Sequence, residues 1–148
     1  MKSNLKKKLT FATALLLGYA GITSAHDVSN QPIGATVGAT DYFKVTCSDN
    51  GAGNAGRLEI QVNDDTPGAS ILSLQVHKGS LAKNTTDPVG ANGVYSPLVS
   101  VAGGNGSYNV IVNKTTAAAR RYDISYHCMT GTTGGLHTGS DIDQKQNQ

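Results

Sequence analysis

The sequence predicts an all-β fold, a small β-sandwich closed by one disulfide. Runs in which apolar and polar residues alternate recur along the chain, and turn-forming residues separate them. The chain has a single glutamate and no tryptophan and is rich in Gly, Ser, Thr, Asn and Val, which favours strands over helices. Its two cysteines, Cys47 and Cys128, both fall on apolar rows.

Five alternating runs predict five strands, each with one apolar row. The ranges are 41–47, 57–63, 70–78, 107–113 and 121–129. Their apolar rows are, in order, Phe43, Val45 and Cys47; Leu58, Ile60 and Val62; Leu72, Leu74 and Val76; Tyr108, Val110 and Val112; and Tyr122, Ile124, Tyr126 and Cys128. Because successive side chains of a strand point to opposite faces, we expect each row to face the core.

A sixth, weaker strand is predicted over 94–101, and Pro97 within it indicates an edge strand. Clusters of Gly, Asn, Asp and Pro mark the turns between the strands. No segment has a helical period of useful length. Short strands at this spacing predict a sandwich that is jelly-roll-like or immunoglobulin-like.

The first 25 residues predict a secretory signal peptide. Four lysines precede an apolar run of about 14 residues, shorter than the roughly 20 that a membrane-spanning helix needs. Thr23 and Ala25 then take the −3 and −1 positions of a cut before His26, and a second possible cut follows Ala20. We therefore expect a bacterial protein that is periplasmic or secreted, with no membrane span after the signal.

The charge of the chain changes once this segment is removed. Of the twelve Lys and Arg residues, four lie within it, whereas all ten acids follow it, so the formal charge of +2 becomes −2. A nucleic-acid partner is therefore not expected. The remaining chain divides into a sandwich domain over 26–130 and a flexible polar tail over 131–148, which is rich in Gly, Thr and amides.

An even number of cysteines in an exported chain predicts a disulfide. Cys47 and Cys128 lie near the two ends of the patterned region and both fall on inner rows, as a buried bridge requires. The bridge would close a loop of about 80 residues.

The strand sequences also resemble a known family. DYFKV at 41–45, RLEIQVND at 57–64, LSLQV at 72–76, GSYNVIV at 106–112 and YDISY at 122–126 look like the bacterial pre-peptidase C-terminal domain. The resemblance covers residues 40–128 and implies a jelly-roll-like sandwich that acts as a non-catalytic accessory or binding module. The Tyr-x-Cys spacing of Tyr126 and Cys128 supports an immunoglobulin-like sandwich as the alternative.

No catalytic constellation is predicted, so we do not expect an enzyme. The sequence has no G-x-S-x-G elbow, and the bridge occupies both cysteines. The one close pair of carboxylates, Asp64 and Asp65, lies in a turn, where Asp commonly caps its own backbone, although oxygen ligands in such a loop also suit calcium.

The histidines predict a possible copper site. A cut after Ala25 would make His26 the first residue, whose α-amine and imidazole can chelate a metal ion; one further imidazole completes a set of three nitrogens that suits Cu(II). His77 and His127 lie on outward rows, and either is a candidate for this imidazole; the two rings could converge if their strands are near each other in one sheet. His137 falls in the predicted tail and would have to fold back, and Met129 could add a soft ligand for Cu(I).

Two functions follow. The first is an exported, non-enzymatic module for binding or assembly in the periplasm or at the cell surface, with a glycan or a cell-surface protein as partner. It depends on outer rows rich in Ser, Thr, Asn and Gln, which can hydrogen-bond a sugar or a partner strand. The alternative is a copper-binding protein that uses His26.

Overall fold

The computed structural model describes residues 26–148, which form nine strands in two antiparallel sheets. The predicted signal peptide, residues 1–25, lies outside this range. The strands are β1 (His26–Ile33), β2 (Thr40–Ser48), β3 (Ala55–Asp64), β4 (Leu72–Lys78), β5 (Leu81–Asp87), β6 (Val99–Val101), β7 (Gly106–Lys114), β8 (Arg120–Thr130) and β9 (Gly139–Gln146). No helix in the described range is long and apolar enough to cross a membrane.

The strand order is β1-β8-β3-β6 in the four-stranded sheet and β5-β4-β7-β2-β9 in the five-stranded sheet. The inner faces of the two sheets form one core. Every residue of the five predicted inner rows is buried, and none exposes more than 5% of its surface. The predicted all-β, disulfide-linked sandwich is therefore confirmed.

Two links join β2 to β8 across the core. The disulfide between Cys47 and Cys128 holds their Cα atoms 5.5 Å apart. Six residues earlier in each strand, the Tyr122 hydroxyl donates to Asp41 Oδ2 at 2.6 Å. Because both links join residues 81 positions apart, the two strands face each other while running in the same direction.

The predicted flexible tail over 131–148 differs from the structure, which has strand β9 there. β9 pairs with β2 along its length, from Ser48 opposite Gly139 to Tyr42 opposite Gln146. Ile142 is its one apolar residue and packs against the core. A single apolar position gives too weak a periodic signal, and charged side chains are typical of an edge strand.

A buried ion pair fixes the loops at one end of the sandwich. Arg120 donates from Nε at 2.9 Å and from Nη2 at 2.6 Å to Asp64 Oδ2, and both side chains are buried. The same guanidinium donates to the carbonyls of Thr66, Pro67 and Gly68. Asp64 Oδ1 also accepts from the Thr66 amide at 3.0 Å, which is the turn-capping role predicted for it.

Candidate functional site

His77 and His127 lie on different sheets. His77 is in β4 of the five-stranded sheet, and His127 is in β8 of the four-stranded sheet. His127 lies between the buried Tyr126 and Cys128, and His77 directly follows the buried Val76, so the two rings point away from opposite faces of the sandwich. The structure therefore does not bring His77 and His127 together.

His26 begins β1 at the edge of the four-stranded sheet. It lies opposite Tyr126, and the two ring centroids are 5.8 Å apart. Directly paired residues share a face, so the His26 ring lies on the inner side whereas His127 lies on the outer side. Within residues 26–148, no three His, Cys, Asp or Glu side chains are arranged to hold one metal ion.

The structure does bring His127 together with His137, a pair that the sequence did not predict. Their ring centroids are 4.6 Å apart. The Nδ1 atoms of both rings are buried and have no hydrogen-bond partner. Burial lowers the pKa of His127, and the neighbouring His137 lowers it further. The pairing of His137 with His127 could not be predicted because His137 falls in the segment predicted to be flexible.

A short hairpin after β8 holds His137 in place. His137 forms an isolated antiparallel bridge with Met129. On either side of it, the Thr130 amide donates to the Leu136 carbonyl at 2.8 Å and the Thr138 amide donates to the Cys128 carbonyl at 2.9 Å. His127 is therefore part of the central strand β8, and His137 lies on backbone that pairs with that strand.

Arg57 fixes the turn of this hairpin. Its Nη1 atom donates to the carbonyls of Gly131 at 2.9 Å and Gly134 at 2.5 Å. Both glycines have positive φ, a conformation that favours glycine. The turn that carries His137 is thus held by a side chain of β3.

A shallow groove of about 400 Å³ lies on the outer face of the five-stranded sheet. It is lined by Thr40, Tyr42, His77, Asn109, Ile111 and Gln146. The Tyr42 hydroxyl donates to Asn109 Oδ1 at 2.6 Å, which fixes the ring relative to the amide. One aromatic ring, amides and hydroxyls therefore line a single concave surface.

The strands beside this groove extend a mostly uncharged polar surface. The strand register places hydroxyl and amide residues in neighbouring rows of the outer face: Ser73, Gln75, Asn84, Thr86 and Asn113. The charges on this surface are clustered at the β9 edge, where Lys44 lies directly opposite Asp143 and Lys145 forms an ion pair with the same carboxylate. Opposite charges in neighbouring positions leave little net field, which suits a neutral ligand.

The outer face of the four-stranded sheet is acidic near one end. Burial raises the pKa of Asp65, and the nearby carboxylate of Asp123 raises it further. Asn63 is opposite Asp123 and donates to Asp65 Oδ1 at 2.5 Å. Asp64 points the other way into its ion pair with Arg120, so Asp64 and Asp65 do not face each other as catalytic carboxylates would.

Another hollow, of about 440 Å³, lies at the strand ends beside Ile33, Arg120, Arg121 and Gln148. Arg120 is engaged by Asp64, and the Arg121 Nη1 atom donates to Asn30 Oδ1 at 3.0 Å. The lining contains no carboxylate, histidine or cysteine side chain.

No family model, curated protein or solved structure matches this chain in comparisons with known proteins. The resemblance to the pre-peptidase C-terminal domain stays a prediction from the strand sequences.

Proposed function

We propose that this chain is an exported, non-enzymatic binding module that takes a neutral saccharide on the outer face of its five-stranded sheet. The observation that carries the proposal is the groove around Tyr42, in which a fixed aromatic ring lies among amides and hydroxyls. The apolar face of a sugar ring can pack on tyrosine while its hydroxyls pair with neighbouring polar groups.

The ligand chemistry follows from the side chains that line the groove. Asn109 Oδ1 accepts from Tyr42 and Gln146 Nε2 donates to the Thr40 carbonyl, which leaves the Asn109 amide donors and the Gln146 carbonyl oxygen to pair with sugar hydroxyls. Ile111 adds an apolar contact between them. A phosphate or a carboxylate ligand would need a cluster of cations, and the lining residues include no Lys or Arg.

Two features support action outside the cytoplasm. The buried disulfide between Cys47 and Cys128 is typical of proteins that fold in an oxidising compartment. The sequence of residues 1–25 independently predicts export. A periplasmic or cell-surface saccharide is therefore the ligand class that this proposal names.

A glycan array and calorimetric titration with residues 26–148 test the proposal. We expect the native chain to retain neutral oligosaccharides, and we expect Tyr42→Ala to weaken binding about tenfold, since a loss of about 1.4 kcal/mol has that effect. Tyr95→Ala is the matched control, because Tyr95 lies near Asp65 and Asp123 beside the other sheet. Absence of retained saccharides, or equal affinities of native chain and Tyr42→Ala, would contradict the proposal.

A further inference from the structure

We infer that His127 and His137 form a binding site for a transition-metal ion, and that Cu(II) is the ion their donors fit best. The site lies on the outer face of the four-stranded sheet, whereas the proposed saccharide groove lies on the five-stranded sheet. The inference is therefore independent of the proposed function.

Two unpartnered ring nitrogens lie at this site. The Nδ1 atoms of His127 and His137 are both buried without a hydrogen bond, and a buried polar atom left in this state is costly. Two such atoms on neighbouring rings are more simply explained by one shared ligand than by two separate defects. A metal ion satisfies both lone pairs at once.

The two imidazole rings are close enough to bind one metal ion. A metal–imidazole bond is about 2.0–2.1 Å long, so two nitrogens on one ion lie at most about 4 Å apart. The ring centroids of His127 and His137 are 4.6 Å apart, which allows both nitrogens to reach one ion after small ring rotations. The rings are tilted by 49°, so they do not lie face to face.

Paired backbone holds both histidines in place. His127 lies within β8 and is paired there with Glu59 of β3. His137 is fixed by its bridge with Met129 and by the turn that Arg57 clamps. Ligands on paired backbone lose little freedom when they bind, which favours a defined site.

A third nitrogen donor is available where β1 begins. His26 is opposite Tyr126, and the next residue of β8 is His127, so the start of β1 lies beside the histidine pair. Processing before His26, which the sequence predicts, would free an α-amine at this position. This donor is the backbone amine and not the His26 ring, which lies on the inner side next to Tyr126.

The donor set selects the class of metal. Two imidazoles and an amine are nitrogen ligands of the kind that Cu(II) binds more tightly than other divalent first-row ions, whereas Ca²⁺ and Mg²⁺ require oxygen ligands. Met129 is paired with His137 and lies two residues after His127, so its side chain shares their face of the sheet, and a soft thioether there would suit Cu(I).

The experiment uses residues 26–148 with His26 as the authentic first residue. Cu(II) binding is measured by calorimetry against a competing chelator and by electron paramagnetic resonance. The variants are His127→Gln and His137→Gln, and the matched control is His77→Gln on the other sheet. Circular dichroism and thermal unfolding establish that each variant is folded, and Ca²⁺ serves as the control ion.

We expect one Cu(II) per chain with nitrogen hyperfine structure, a loss of at least tenfold in affinity for His127→Gln and for His137→Gln, and a change below twofold for His77→Gln. Folded His127→Gln and His137→Gln proteins with native affinity would overturn the site. A chain with one extra glycine before His26 should bind about tenfold more weakly; native affinity in that chain would overturn the α-amine as the third donor.

Discussion

At the scale of single residues, Tyr122 and Asp41 form the polar contact buried deepest between the two sheets. Neither side chain is exposed, and Asp41 Oδ1 also accepts from the Gln148 amide at 2.9 Å. Burial raises the pKa of Asp41, and burial together with Asp41 raises that of Tyr122. The carboxylate therefore depends on its two donors to stay charged inside the core.

Replacing Tyr122 by Phe should lower the free energy of unfolding by about 1.5–3 kcal/mol, because a buried carboxylate loses a hydrogen bond. Urea denaturation at pH 7 measures the change. Tyr42→Phe is the matched control, since its hydroxyl bonds to Asn109 at the half-buried outer face. Equal effects of the two substitutions would show that burial of Asp41 does not set the cost.

Arg120 is the residue whose loss should cost most outside the apolar core. Arg120→Ala leaves the buried Asp64 carboxylate and several loop carbonyls without their donor. Breaking one half of a buried ion pair typically costs about 3–5 kcal/mol, so we expect a loss of that size in denaturant unfolding. Arg121→Ala, at an exposed neighbouring position, is the control and should change stability little.

Asp65 gives a prediction of pH dependence. Its pKa is raised in the folded chain, so its contribution to stability is present below its ordinary pKa of 3.8 and is lost as the pH rises through the folded value. Asp65→Asn removes the repulsion from Asp123 and should raise the Tm at pH 7 but not below pH 3.8. A Tm gain that is equal at both pH values would point to a cause other than charge.

At the scale of strands, position within the sheet decided which elements could be predicted. The five strands predicted from strong alternation correspond to β2, β3, β4, β7 and β8, which are the internal strands of the two sheets. Internal strands bury a complete apolar row, so their sequences carry the full period. The weak sixth strand is β6, an edge strand of three residues.

The remaining edge strands, β1, β5 and β9, were not predicted. β5 has the sequence LAKNTTD and buries only Thr85 and Asp87, so it shows no apolar row. β1 contains an irregularity between Val28 and Gln31, with Asn30 at φ 59°, which interrupts the alternation. Their pairing depends on partners distant in the chain, which local pattern does not report.

Substitution Ile142→Asp tests whether β9 is held by its one apolar contact. A charge placed against the core should release β9 and raise amide exchange in β9 and at the β2 edge, while β3 and β8 keep their protection. Asp141→Asn, at the neighbouring outward position, is the control. Fast exchange of β9 already in the native chain would agree instead with the flexible tail expected from sequence.

At the scale of the whole molecule, the disulfide between Cys47 and Cys128 links the two sheets. Replacing Cys47 and Cys128 together by Ala opens a loop closed over 81 positions, and chain entropy for loops of this length predicts a loss of about 4–5 kcal/mol. Thermal and denaturant unfolding measure it. A loss below about 1 kcal/mol would show that the native contacts already order the ends of the loop.

Neither candidate site could be located fully from the sequence. The alternating pattern correctly placed His77 and His127 on outward positions. Their assignment to different sheets depends on the strand order, which arises from contacts between distant segments. His137 could not be paired with His127 because its segment has no apolar period. The groove at Tyr42 likewise combines β2, β4, β7 and β9 and has no signature within one segment.

The most direct test of the central claim is chemical-shift mapping of residues 26–148 during titration with neutral oligosaccharides, using hexamers of glucose, mannose and N-acetylglucosamine. We expect at least one hexamer to shift the amide resonances of Tyr42, His77, Asn109 and Ile111 while those of β3 and β8 stay unchanged. Shifts confined to the four-stranded sheet, or no shifts with any hexamer, would contradict that claim.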